Sequence, residues 1–168
     1  IGWDVNNWSK SLDIWQPFID EVEKSVLVVG DREGRLSLWF ALYGHKVFCS
    51  DKHGIVDSAK KLHKFYSVDD KIKYINADIM QLNFNNNQFD IIAFKSVLGA
   101  LKNEININKA ILEMYRVLKP GGKLFVAENA EGSAIHSHFR ERFNKYSWRY
   151  LNINELGKIF KPFNIIVS

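Results

Sequence analysis

Two glycines and an acid stand at a spacing that suits ligand chemistry. Gly30 and Gly34 bracket a short turn, and Asp51 follows within VLVVGDREGRLSLWFALYGHKVFCSD, Val26 to Asp51. A strand, a glycine-containing turn, a helix and a second strand ending on an acid is how a nucleotide-binding unit begins. The interval of about 20 residues is that at which a strand-end carboxylate accepts bonds from ribose hydroxyls. Gly30 and Gly34 let a backbone come close, because no Cβ intrudes. The same glycines would also serve a tight turn that holds nothing, and Asp51 would also serve as a solvated acid or helix cap. The turn is unusual in carrying Asp31, Arg32 and Glu33 in a row.

These residues need elements to place them. Val5, Trp8, Leu12, Trp15 and Ile19 recur at helical spacing and predict an N-terminal helical region over residues 1–23. Trp8 and Trp15 would cover the edge of the domain, or close over a substrate. Ser25 to Val29 reads as a buried parallel strand. Leu36, Trp39, Phe40 and Tyr43 then mark a helix that Gly44 ends. Lys46 to Ser50 is a second strand, Ile55 to Phe65 an amphipathic helix, and Ile72 to Asn76 a third strand. Asn83 to Gln88 is a loop, Phe89 to Phe94 a fourth strand, and Ile105 to Leu118 a helix. Pro120-Gly121-Gly122 forces a turn, and Lys123 to Glu128 is a fifth strand. Glu131 to Tyr146 reads as partly helical, Asn154 to Phe160 as a short helix, and Phe163 to Val167 as a sixth apolar run. Strands alternating with helices predict an α/β, doubly wound, mainly parallel sheet with helices on both faces. The reading is of one domain over 1–168, with a 24–168 core and a final edge strand that can be missing. Ligands bind beyond the carboxyl ends of such strands, where strand order reverses.

Composition narrows the class. The chain has 168 residues, a net charge of +4, 46% hydrophobic and 25% charged residues, ordinary values for a globular protein. Its lysines are scattered, so nucleic acid is not an expected partner. No apolar run approaches the roughly 18 residues of a membrane span, and a cytoplasmic setting without membrane contact is expected. The single cysteine, Cys49, lies in a predicted strand and reads as a small core residue. His136 and His138 lie two apart, but no acid cluster partners them, so no metal is expected.

In order and spacing the chain resembles the class I S-adenosylmethionine-dependent methyltransferases. VLVVGDREGRLS, FCSD, INADI, FDIIAFKSVLGAL and above all RVLKPGGKLFVAEN, Arg116 to Asn129, carry the resemblance. It implies a Rossmann-like methyltransferase fold and S-adenosylmethionine as cofactor. Gly30, Asp31, Arg32 and Gly34 would cradle the methionine end, Asp51 the ribose, and Lys52 and His53 the flank of the adenosine. Asp78 would sit near the adenine amino group, with Ile79 packing on the ring. Lys95 and Ser96 would border the methionine end and the acceptor. Lys95 can contact the cofactor's carboxylate, meet an acidic substrate, or point to solvent. The turn's helix would offer unpaired amides to that carboxylate.

The chain departs from the family twice. The acid often found two residues before the first glycine is Val28 here, and Arg32 stands where a second glycine is favoured. Asp31 or Glu33 would then replace the missing acid, and Arg32 must turn outward. Glu128, His136 and His138 are candidate bases near the acceptor. Arg140, Arg142, Arg149 and Tyr150 would bind an anionic acceptor or form a solvated face. The expected reaction is methyl transfer to a small-molecule or saccharide-like acceptor. A methyltransferase fold that only binds or scaffolds is the alternative, and a nicotinamide-dependent oxidoreductase a further one. Nothing in the sequence fixes the oligomeric state.

Overall fold

The computed structural model describes residues 5–19, 21–129 and 149–163, with side chains from residue 9 onward. The predicted alternation is present. Helix α1 (Val5–Trp15) leads through a 3-10 turn, Gln16–Phe18, into strand β1 (Ser25–Val29). There follow α2 (Arg35–Leu42), β2 (Lys46–Asp51), α3 (Asp57–Phe65), β3 (Ile72–Asn76), β4 (Phe89–Lys95), α4 (Glu104–Val117), β5 (Leu118–Ala127) and α5 (Ile153–Ile159). The five strands form one sheet in the order β3-β2-β1-β4-β5, and every pairing is parallel.

Alternation along β1 divides the core. Leu27 and Val29 face a cluster with Phe89, Ile92 and Phe94 of β4, Ile107, Ile111 and Met114 of α4, and Ile159 of α5. Val26 and Val28 face the opposite cluster, with Leu36, Phe40 and Ala41 of α2. Strands buried on both faces are what continuous apolar runs such as SVLVV encode. Phe40 is fully buried there, and truncating it to Ala costs about 3–5 kcal/mol.

Trp15 belongs to this second face. It is buried, its ring 5.4 Å from Phe125 and 6.4 Å from Trp39. It packs as core and is not a lid; the Trp8 side chain lies outside the described residues.

Two details differ from the sequence reading. First, the fifth strand begins at Leu118 rather than Lys123. Leu118 pairs with Phe89 and Lys123 with Ile91, so Lys119 to Gly122 bulge out within the strand. Gly121 takes a φ of +75°, and a Cβ on Gly122 would lie 2.8 Å from Leu118 Cδ1. The glycines therefore shape a bulge and do not end a strand. Second, short 3-10 helices form at Asp69–Lys71 and Leu98–Leu101. The apolar run expected at 163–167 lies almost wholly outside the described residues.

Candidate functional site

The strand order reverses between β1 and β4: the chain steps outward from β1 to β2 and β3, then returns to the other flank of β1. That is where an open parallel sheet leaves a crevice at its carboxyl edge. The register sets Val29 against Ser50 on one side and Phe94 on the other. The turn after β1 therefore has Asp51 on one flank and Lys95 on the other.

Backbone bonds lock these ends together. The Asp31 N–H donates to the Ser50 carbonyl at 3.0 Å, and the Val56 N–H donates to the Arg32 carbonyl at 3.2 Å. The Ala77 N–H donates to the Asp51 carbonyl at 3.3 Å, which brings Asp78 and Ile79 alongside. Asp51 is half-buried, and its Oδ1 accepts the His53 N–H at 2.8 Å. Lys52 pairs with Asp78 at 2.8 Å. Partial burial pushes the Asp78 carboxyl up, but Lys52 and the Met80 N–H together hold it below the usual carboxylate range. Ile79 is buried.

The turn itself has an unexpected economy. Gly34 occupies the N-cap of α2 with a φ of +67° and has no side chain to accept from the helix. Asp31 does so instead, its carboxylate accepting the N–H of Ser37 at 2.7 Å and of Leu36 at 3.3 Å. Burial pushes the Asp31 carboxyl up, against the pull of these bonds. Two first-turn amides that would suit a ligand's carboxylate are thus held by the protein's own acid. Arg32, Glu33 and Arg35 are exposed. Val28 is fully buried against α2 and offers nothing to a ligand.

Both glycines are demanded by the protein's own packing. A Cβ on Gly30 would lie 2.6 Å from Val97 Cγ2, and one on Gly34 would lie 2.6 Å from the His63 ring. His63 is a site residue that the sequence reading missed. It is fully buried, with Nε2 2.7 Å from the Gly34 carbonyl and Nδ1 2.9 Å from the Tyr74 hydroxyl. Its only sequence signal is the spacing of Ala59 and His63 along the inward face of α3.

On the other flank, Lys95 is half-buried at the end of β4. Burial and the nearby Arg35 guanidinium push its ammonium down to about 8, with Asp31 opposing them. Ser96 adopts a φ of +51°, its N–H donating to the Ala127 carbonyl at 2.8 Å and its hydroxyl accepting from Asn129 at 3.2 Å. The Glu128 carboxylate turns inward to accept the N–H groups of Val97 and Leu98, and burial pushes it up. Its role here is to hold the start of the 3-10 helix. Arg149 pairs with Glu155, and its N–H donates to the Gly99 carbonyl at 3.1 Å, while Tyr150 is half-buried beside it. His136, His138, Arg140 and Arg142 lie outside the described residues. Among the described residues no group of His, Cys, Asp or Glu is placed to hold a metal.

RVLKPGG, by contrast, stands at the opposite edge of the sheet from the crevice. Arg116 donates to the carbonyls of Leu82 and Phe84, each at 2.7 Å, and to the Glu113 carboxylate. Lys119 pairs with Asp90 at 2.8 Å.

Sheet order, glycine turn and strand-end acid together define an α/β protein of the class that binds an adenosine-bearing ligand at its topological switch point. Residues 27–126 match the model of the methyltransferase domain family, described as "Methyltransferase domain", and the chain belongs to that family. It is 34% identical over 88 residues to the ubiquinone/menaquinone biosynthesis C-methyltransferase UbiE of Psychromonas ingrahamii, covering 52% of this chain and 32% of that one. Against UbiE of Haemophilus ducreyi it is 29% identical over 122 residues, 73% of this chain and 45% of the relative. The matched regions thus span 32% and 45% of the length of these two relatives. Among solved structures, the YcgJ protein of Bacillus subtilis matches with a TM-score of 0.75 at 21% identity, over 92% of this chain and 67% of that one. Phosphoethanolamine N-methyltransferase 2 of Haemonchus contortus, in complex with S-adenosyl-L-methionine, also gives 0.75, at 22% identity over 92% and 36%. These likenesses carry the fold.

The family implies S-adenosylmethionine, and the residues present fit it. Asp51 offers a carboxylate for a ribose diol beside a turn fixed to its own strand. Ile79 gives an apolar neighbour with Asp78 alongside. At the methionine end, Val28 and Arg32 depart from the family's usual pattern. No described helix is long and apolar enough to cross a membrane.

Proposed function

We propose that this chain transfers a methyl group from S-adenosylmethionine to a small-molecule or saccharide-like acceptor. The observation that carries the reading is the bond from the Asp31 N–H to the Ser50 carbonyl. It fixes the glycine turn and the Asp51 carboxylate on one crevice. The cofactor, when bound, supplies a methyl group on an already activated sulfonium. The protein's task is therefore chiefly alignment. Asp51 binds the ribose hydroxyls through charge-assisted bonds. The Gly30–Gly34 turn sets the depth of the methionine end. Ser96, held by Ala127 and Asn129, shapes the floor between cofactor and acceptor. A base is required only for an acceptor that must lose a proton; His136 and His138 are the candidates for that task, since Glu128 is engaged with backbone amides.

The names of the relatives favour a small acceptor over a macromolecule. A cytoplasmic setting is part of this reading. The test is calorimetry with S-adenosylhomocysteine. The parent should bind, and Asp51→Ala should weaken binding by about 1–3 kcal/mol. A parent that shows no binding at millimolar ligand would leave a fold that only scaffolds, the reading favoured by Asp31 occupying the amides of α2. Preference for NAD over S-adenosylhomocysteine would return the oxidoreductase reading.

A further inference from the structure

Three observations bear on the methionine end of the site. The amides of Leu36 and Ser37, where a helix N-terminus would receive a carboxylate, are taken by Asp31. The position that would offer an acid to the amino group is Val28, sealed in the core. Two cations flank the turn: Lys95 at the end of β4, beside Gly30 by register, and Arg35 at the first position of α2. Lys95 lies close enough to Arg35 and Asp31 for its ammonium to respond to both charges. Held together, like charges repel, and a bound anion relieves that repulsion.

We propose that Lys95, assisted by Arg35, is the anchor for the amino-acid carboxylate of the cofactor, replacing the helix amides that Asp31 occupies. This rests on the cofactor reading above and adds to it a specificity-determining residue. The charge pattern of the turn follows. Asp31 moves the acid into the helix cap, and the recognition of the ligand's carboxylate passes to side chains. Lys95 is half-buried, so its contact with an anion is less screened than one made by a surface lysine. Among the described residues, the charges that act on Lys95 are Arg35 from α2 and Asp31 from the turn; Glu128, one residue past β5, is bound to the amides of Val97 and Leu98.

The test compares two probes by calorimetry on the whole chain: S-adenosylhomocysteine, which carries the carboxylate, and 5′-methylthioadenosine, which lacks the amino-acid portion. Lys95→Met should weaken S-adenosylhomocysteine about 10- to 100-fold, the span of a lost charged hydrogen bond, and change 5′-methylthioadenosine less than about twofold. Lys95→Arg should recover most of the loss. Arg35→Gln, at an exposed helix position, should give a smaller loss with the same probe selectivity, and serves if Lys95→Met does not fold. Raising the pH from 7 to 9.5 should weaken S-adenosylhomocysteine more in the parent than in Lys95→Arg. Equal losses for both probes, or none, would overturn the anchor while leaving the cofactor reading intact. A parent that binds neither probe would overturn the cofactor reading and the anchor with it.

Discussion

The carboxylate of Asp31 accepts the backbone N–H of Ser37 at 2.7 Å, six residues along the chain and inside the first turn of α2. A helix leaves its first amides unpaired, and a capping side chain ordinarily stands at the N-cap itself. Here Gly34 holds that place, because His63 and Ala59 leave no room for a Cβ. The acid that caps the helix is therefore displaced into the loop. That displacement turns a ligand-facing helix end into one satisfied from within.

Removing the displaced cap should be felt in stability. Asp31→Ala should cost about 1 kcal/mol, the usual value for a lost N-cap, read as a shift in the urea midpoint. Burial raises the folded-state pKa of Asp31 above its ordinary value of 3.8. The folded protein then holds this proton more tightly than the unfolded chain, so this group's contribution falls as pH rises from about 4 through the raised value. The Ala variant should lack that decline. Parallel pH profiles for the two proteins would show that Asp31 is not buried against the helix.

Gly34 and His63 should behave as one unit. A methyl at Gly34 meets the His63 ring at 2.6 Å in a backbone conformation with φ of +67°. Gly34→Ala should cost at least about 2 kcal/mol through strain and overpacking. His63→Ala should also destabilise, by leaving the Tyr74 hydroxyl and the Gly34 carbonyl without their partner. The double variant should lose less than the two single losses combined, because the smaller residue makes room for the methyl. Strict additivity in denaturant unfolding would contradict the packing seen here.

The sheet was legible because SVLVV, KVFCSD and FDIIAFK are buried on both faces and bounded by turns. The helices followed from apolar spacing, as with Ile107, Ala110, Ile111 and Met114 on α4. Asp51 was legible as a strand-end acid. The reason for the glycines was not. Local sequence shows that Gly30 and Gly34 have no Cβ, but not that Val97 and His63 fill the space. Those contacts join residues far apart in the chain. Glu128 was read as a strand-end acid at the ligand edge; that its carboxylate accepts the amides of Val97 and Leu98, far back along the chain, has no local sequence signal. RVLKPGG belongs to the stretch that carries the resemblance most specifically, yet it stands at the amino ends of the strands, since what it encodes is a bulge in β5 and a staple from the end of α4 to the loop before β4.

That staple yields a separate expectation. Arg116 donates to the carbonyls of Leu82 and Phe84 and to Asn86 and Glu113. Arg116→Ala should lower stability by on the order of 2 kcal/mol, through lost bonds to half-buried carbonyls. It should leave the affinity for S-adenosylhomocysteine within about twofold at temperatures where the variant is folded. A variant of full stability that fails to bind would instead make this motif part of the ligand site.

Lys95 ties the site to stability through pH. In the folded protein its ammonium is pushed down to about 8, by burial first and then by Arg35, against about 10.4 for an unperturbed lysine. Between those values the unfolded chain binds more protons than the folded one, so stability rises with pH across that window. Below pH 8 the lysine is charged in both states, and the folded state bears the full cost of holding that charge. Above about 10.4 it is neutral in both, and the cost is gone. Lys95→Met carries no such charge at any pH. Urea unfolding at pH 7.5 and 9.5 should therefore show the parent gaining on the Met variant as pH rises. The gain should be smaller than full burial would give, because the side chain is partly solvated. Saturating S-adenosylhomocysteine, if its carboxylate sits on this ammonium, should raise the Lys95 pKa and shrink the gain. A difference between parent and variant that stays constant from pH 7.5 to 9.5 would show that Lys95 titrates as an ordinary surface lysine.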